Sequence, residues 1–529
     1  MPKIQKIDER NMESFVQTVI TICDPSTNET TKAEKLKRLE NTLKIFETDV
    51  NDPHGKTCLQ HLLERRKFDA AKFLLENSDP KPNLNHEDRS KTTLLEKAID
   101  GLDEITVQWL LTNGADVNYF SSTNSTPLTK AIQMYPFSLN NIKTLLRHGA
   151  DRNLIGCQNA TPLMISLAGS ELNPIFQLLV NDPLTDLDKP CPNLDGVFPL
   201  YQATCSGSVE QMRQLLDKGA NIEQVTPKNE TALSVASARY EIEKVKLLLE
   251  RKANPNYVIH IELGKTTNYL HRLVSLTKPE TKQRDLAVAR LLLQFEADPN
   301  ATVEPEGSAF HLAVQFGKIE FVKLFLQKCS LFDIQSGIFT AISCNKPMII
   351  DLFINHPRFD PKFRDDDGHG LITAACIMPP PNQTFKELNR IRKEIVDSPR
   401  IAPSRKSNKS GTDVDFKLLE RFVNLGAPID IQNMFGQNAL YLASLKNNTN
   451  AVRFLLSKNA NPKLVCIDGS TALHAAASYG NTELITLLLR CGVDVNIQMH
   501  DGTTPLMMAA QEGEVPAVKL LLANKADTT

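Results

Sequence analysis

Gly469 to Asn496 reads GSTALHAAASYGNTELITLLLRCGVDVN, and Gly502 to Asp527 reads GTTPLMMAAQEGEVPAVKLLLANKAD. Aligned on Thr471 and Thr504, which stand 33 residues apart, the two stretches are the same sentence. A Thr opens a short apolar helix, a Gly breaks it, a second helix ends in LLL, and a Gly or Asn turn follows. Thr at such a start accepts a hydrogen bond from an otherwise unpaired helix amide. Pro in the next position costs nothing, because its missing N–H had no partner there; Pro127, Pro162 and Pro505 occupy that slot. The closing segments NGADVN from Asn113, HGADRN from His148 and CGVDVN from Cys491 supply the left-handed residue a helix end needs.

Counting backwards by this period places the helix-start slot on Asn438, Gly370, Gly337, Ser308, Asn268, Thr231, Phe198, Thr161, Thr126, Thr92 and Thr57. That makes about thirteen units between residue 51 and the end. Those at Asn268, Gly337 and Gly370 depart most from the pattern. Each unit buries its apolar face only against its neighbours, so the expectation is one continuous array.

This pattern of a T-P-L-H helix start on a 33-residue period resembles the ankyrin repeat. The resemblance implies an all-α solenoid of helix-turn-helix units with short β-hairpin-like loops. It also implies that the hairpin tips and the exposed ends of the first helices form a concave recognition face. On that face stand Met434, Phe435, Ile467 and Met499 at tips, and Phe316 and Tyr479 at helix ends, each eight residues past its slot. Exposed aromatic and Met side chains are suited to anchor an interface.

Residues 1–50 lack the repeat. Phe15, Val19 and Ile22 share one helical face, and Leu36, Leu39, Leu43 and Phe46 another, as an N-terminal helical cap requires. Residues 51–376 then hold repeats that diverge towards the end, and 414–529 hold near-consensus ones. Between them, 377–413 reads as a basic loop inserted into one repeat, with a short helix expected over Phe385 to Val396. From Lys386 to Lys409 it carries eight basic and three acidic residues, a composition that cannot order itself by burial. Ser398, before Pro399, and Ser404, among basic residues, are candidate phosphorylation sites that would reverse the local charge. A smaller insertion falls around Lys278 to Arg284.

Sixty basic and 62 acidic residues leave a net charge of −2, so no global field favours nucleic acid. No apolar run approaches the length that spans a bilayer, and MPKIQKIDERNMESF lacks the apolar stretch of a signal peptide. A cytoplasmic monomer, with the nucleus as the alternative, is expected. The ten cysteines form no C-x-x-C pair and suit reduced, mostly buried thiols.

Chemistry is scarce. His271, His311 and His474 each sit three residues past a slot, so their recurrence belongs to the repeat, where the resemblance gives this His a bond across neighbouring loops. Asp365, Asp366, Asp367 and His369 form an acidic cluster, but consecutive aspartates do not spell an alternating calcium loop. They read as a hairpin turn. Phosphate-loop, dinucleotide, zincin and nucleophile-elbow motifs are absent. The leading expectation is a non-catalytic scaffold or adaptor for a protein partner, with no metal and no cofactor. Two others stay open: the ankyrin region of a larger channel or zinc-finger adaptor, which the ending KADTT would suit, and an enzyme hidden in the divergent repeats. The resemblance also makes Asn118 and Asn496, each eight residues after a Leu (Leu110, Leu488), candidates for asparaginyl hydroxylation.

Overall fold

The computed structural model describes residues 9–24, 26, 57–78, 81–169, 172–260, 266–304, 307–377 and 416–528. Ser398, Ser404, the helix expected over Phe385 to Val396 and the second face at Leu36 to Phe46 lie outside them. The chain divides into two compact units, Met1–Pro255 and Asn256–Thr529. Each is a stack of antiparallel helix pairs, and a repeat is named below by the residue that caps its first helix.

The first unit opens with the helix Glu9–Cys23, which lies on the pair Cys58–Glu64 and Phe68–Asn77. Its buried face is Met12, Val16, Val19 and Ile22; Val19 and Ile22 stand where the expected face put them, while Phe15 is only half-buried and Val16 takes its place in the core. Its outer end is held by an exposed ion pair from Arg65 to Glu13 at 2.5 Å. Repeats capped by Thr57, Thr93, Thr126, Thr161, Phe198 and Thr231 follow. Thr93, not Thr92, is the cap, since it is the Thr93 side chain that accepts the Glu96 amide.

In the second unit the caps are Asn268, Ser308, Ser330, Asn438, Thr471 and Thr504, with a further first helix at Leu371–Ile377, just after Gly370. Two hairpins here reach strand geometry, Ile259–His260 with Thr266–Thr267 and Thr302–Val303 with Gly307–Ser308.

Gly337 is not a helix start. The helix begins seven residues earlier, where Ser330 and Asp333 close a capping box: the Ser330 amide donates to the Asp333 carboxylate (2.9 Å) and the Asp333 amide to Ser330 Oγ (3.2 Å). The helix runs Leu331–Ser343, thirteen residues where its neighbours have seven or eight. Gly337 lies in its middle, beneath the edge-to-face rings of Phe310 and Phe353, whose centroids are 6.0 Å apart. A Cβ there would stand 2.8 Å from Phe310 Cε1 and 2.8 Å from Phe353 Cζ. Glycine is retained because two buried rings cross over it.

Gly-to-Ala inside a helix normally stabilises by about 1 kcal/mol, whereas overpacking a filled core costs about 1–3 kcal/mol. Both rings are fully buried, so Gly337→Ala should destabilise on balance. Amides across Leu331–Ser343 should then exchange faster with solvent than in the native chain. Slower exchange would mean that the rings yield.

Candidate functional site

In several repeats the third residue past the cap reaches the next hairpin, and in some of them it also closes its own helix. In the Thr471 repeat the Thr471 amide donates to His474 Nδ1 (3.2 Å), which leaves the proton on Nε2 for the Thr503 carbonyl of the following hairpin (3.2 Å). Tyr441 holds the same slot in the Asn438 repeat, its hydroxyl accepting from Ser470 Oγ at 3.3 Å. In the first unit Glu96 takes the Thr93 amide and the Ser121 hydroxyl (2.9 and 2.8 Å), Met164 takes the Cys191 thiol (3.3 Å), and Tyr201 donates to Glu230 (2.8 Å). Sequence reasoning saw this role only where the residue was His. The others carry no fixed chemistry that spacing could reveal.

These ties hold the C-terminal hairpins in register, and backbone rungs complete the row. Met434 N–H donates to Asp367 O (2.9 Å), Ile467 N–H to Phe435 O (3.0 Å) and His500 N–H to Asp468 O (3.0 Å). The approach is so close that a Cβ on Gly436 would lie 2.8 Å from Ile467 N, and one on Gly469 2.8 Å from His500 N. Both glycines also have φ near +74° and +82°, so they meet two separate demands at once.

At the turn tips Met434 is 55% and Ile467 64% exposed, and Val465, two residues before Ile467, is exposed as well. The carbonyl of Val465 is taken by the Gln432 carboxamide at 2.8 Å. Phe435 and Met499 are only half-buried rather than open tips. The Phe435 carbonyl is a rung, and Met499 is the first residue of its turn, in register with buried Cys466; the true equivalent of Ile467 there is His500. Tyr479 and Phe316 terminate first helices and are partly exposed. Three repeats separate them, and with neighbouring helices about 8–10 Å apart Phe316 stands well away from the C-terminal tips.

Asp365, Asp367 and His369 lie close enough to share an ion, but the hairpin accounts for them. Asp365 Oδ1 accepts the amides of Asp367 (3.1 Å) and His369 (2.8 Å). The His369 ring places Nδ1 3.2 Å from the Asp365 carboxylate and Nε2 3.0 Å from the Asn433 carboxamide. Thiols are similarly quiescent: burial pushes Cys329, Cys376 and Cys466 up to about 12, leaving them protonated.

On the opposite loops a side-chain ladder runs from repeat to repeat. Asn118 Oδ1 accepts the Asp151 amide (2.7 Å), Asn153 that of Asp186 (2.8 Å) and Asn496 that of Asp527 (2.8 Å). Asn118 and Asn496 are thus half-buried ladder members, so hydroxylation at either would act on a side chain already holding the next loop.

A family model described as ankyrin repeats in three copies matches residues 167–258, 411–499 and 458–529. The chain carries ankyrin repeats over those residues. Its helix pairs, capped slots and stacked hairpins form the all-α solenoid of that family, whose repeats are generally modules for protein–protein interaction and usually non-catalytic. No curated protein matches the chain significantly. Among the described residues no helix is long and apolar enough to cross a membrane.

Burial holds the His474 and His311 imidazoles below their ordinary pKa. The folded repeats keep them neutral, while the unfolded chain takes up protons as pH falls through about 6.5. Their stability is therefore full above that pH and declines below it. Urea unfolding at about pH 7.5 and about pH 5 should show this loss in the native chain and a smaller one in His474→Gln, since Gln offers one acceptor and one donor but does not titrate. Equal losses in both would place the acid sensitivity elsewhere.

Proposed function

We propose that this ankyrin-repeat chain is a non-catalytic scaffold, monomeric and cytoplasmic, that recognises a protein partner through the C-terminal hairpin tips. The observation that carries the reading is the exposure of Met434, Val465 and Ile467 on two neighbouring hairpins joined by a backbone rung. A monomeric surface seldom clusters large apolar side chains without an interface to serve. The rungs fix the spacing of these side chains before any partner arrives, which lowers the ordering cost of association. Tyr479, at the end of the first helix in the same repeat as the Ile467 hairpin, extends the face inward. Phe435 contributes its ring edge at most, being half-buried.

The test pairs binding with stability. Once a partner has been identified by photo-crosslinking from position 467, Met434→Ala with Ile467→Ala should weaken it by about 2 kcal/mol or more. Stability should move by less than about 0.5 kcal/mol, as exposed substitutions do. Leu473, fully buried between repeats, should behave oppositely: Leu473→Ala should cost about 2–5 kcal/mol of folding. Retention of the partner by the double tip variant would remove this face from consideration.

A further inference from the structure

The hairpin row of the second unit has one missing member. Thirteen residues separate Arg490 from the Thr504 cap, enough for a loop and a hairpin, but only four separate Phe325 from the Ser330 cap. Two contacts, through Ser336 and Phe332, put the lengthened helix Leu331–Ser343 in part of the place a hairpin would take, and a third, at Cys329, marks the shortened loop before it. His311 Nε2, which by the His474 precedent should meet a hairpin carbonyl, meets Ser336 Oγ at 3.0 Å. Asn300 Oδ1, which by the ladder should take a loop amide, accepts the Cys329 thiol at 3.4 Å. The Phe332 ring stands edge-on to Phe363 at 6.0 Å, and Phe363 leads directly into the Asp365–His369 hairpin.

Two consequences follow for the surface. Leu331 and Phe332, in the first turn of that helix, are left exposed, Phe332 at 56%. On the neighbouring hairpin, Asp366 occupies the position of Met434, Ile467 and His500, each of which donates its N–H to the preceding hairpin. Asp366 has no preceding hairpin, and its N–H meets no acceptor among the described residues. An aromatic shelf and an unfilled backbone donor thus border the same gap.

We propose that this gap binds an extended segment of a protein partner as a substitute rung. A backbone carbonyl of the segment accepts the Asp366 N–H, and a bulky apolar side chain lies on Leu331, Phe332 and Phe363. The neighbouring rungs argue for an extended backbone rather than a helix, because they show the bond that this row makes to whatever lies beside it. The exposed rings argue for the apolar side chain. The inference rests on the chain being a protein-binding module, but it uses none of the C-terminal tip residues, so the two surfaces can fail separately.

Random linear dodecapeptides displayed on phage and selected on the full chain provide the probe, with recovered peptides synthesised and titrated by fluorescence anisotropy. Enriched peptides should share a bulky apolar residue and lose at least about tenfold in affinity for Phe332→Asp, as loss of an interface anchor does. That substitution is compatible with the helix, whose first turn favours an acid. Asp366→Pro, which deletes the N–H, should have a comparable effect, whereas Asp366→Asn, which keeps it, should change affinity less than about threefold. The hairpin itself should survive the Pro, because Asp366 is the second residue of a turn closed by Gly368 N–H to Asp365 O at 2.9 Å, a position Pro favours. Unfolding midpoints of all variants check this. Peptides that bind Phe332→Asp and Asp366→Pro at full strength but lose affinity for Ile467→Ala would overturn the gap and leave the tip surface standing. Failure to enrich any clone over the Phe332→Asp chain would overturn it as well.

Discussion

The stacking of the described repeats leans on the side chain three residues past a first-helix cap wherever that side chain is polar and long enough to cross to its neighbour. A first helix begins with unpaired amide groups, and in the Thr93 and Thr471 repeats the cap and this residue satisfy two of them. The same side chain then extends into the next repeat: His474 to Thr503, Tyr441 to Ser470, Glu96 to Ser121, Tyr201 to Glu230. Remove the neighbour and each leaves a buried polar group without its partner, at a cost of about 1–3 kcal/mol. Where one side chain makes both bonds, as Glu96 and His474 do, helix initiation and repeat stacking support each other, which helps helices too short to persist alone to stand.

Two further systems run parallel to these ties within the units. The Asn and Asp side chains of the loops pass hydrogen bonds along one side, as from Asn118 to Asp151 and from Asn153 to Asp186. Backbone rungs join the C-terminal hairpins on the other, from Asp367 through Met434 and Phe435 to Ile467 and from Asp468 to His500. Both rely on groups that any residue, or any small polar residue, can supply. This is why the tips tolerate Met, Ile and His in equivalent places: the row is held by backbone, and the side chains are released from structural duty.

That division explains what could and could not be read from the sequence. Caps such as Thr126, Thr161 and Thr231 were legible because a β-region Thr before an apolar helix has a fixed chemical task. The Gly337 slot is misplaced because the period runs through a repeat that lacks its hairpin, so that a glycine packed beneath Phe310 and Phe353 in mid-helix reads as a helix start. The corrective signal was present as Ser330 and Asp333, an S-x-x-D capping box. Exposure was harder still. Met499 and Ile467 look equivalent in a list of apolar tips, but one residue of register moves a side chain from the turn's apex to its base.

The same economy bears on function. Several titratable groups in and beside the described hairpins are engaged in holding them: the His369 ring is set between Asp365 and Asn433, the His474 ring between Thr471 and Thr503, and the buried Cys466 thiol stays protonated. A group already serving as donor and acceptor in a rigid network has little freedom to transfer a proton or grip an ion. What the network leaves unspent is of a different kind, namely apolar side chains at fixed intervals and, beside Ser330, a backbone donor with no rung to meet. Those are the materials of recognition. On the proposed reading, the rungs and ties hold these groups in place before a partner arrives, so that selectivity would follow from spacing rather than from any single reactive residue.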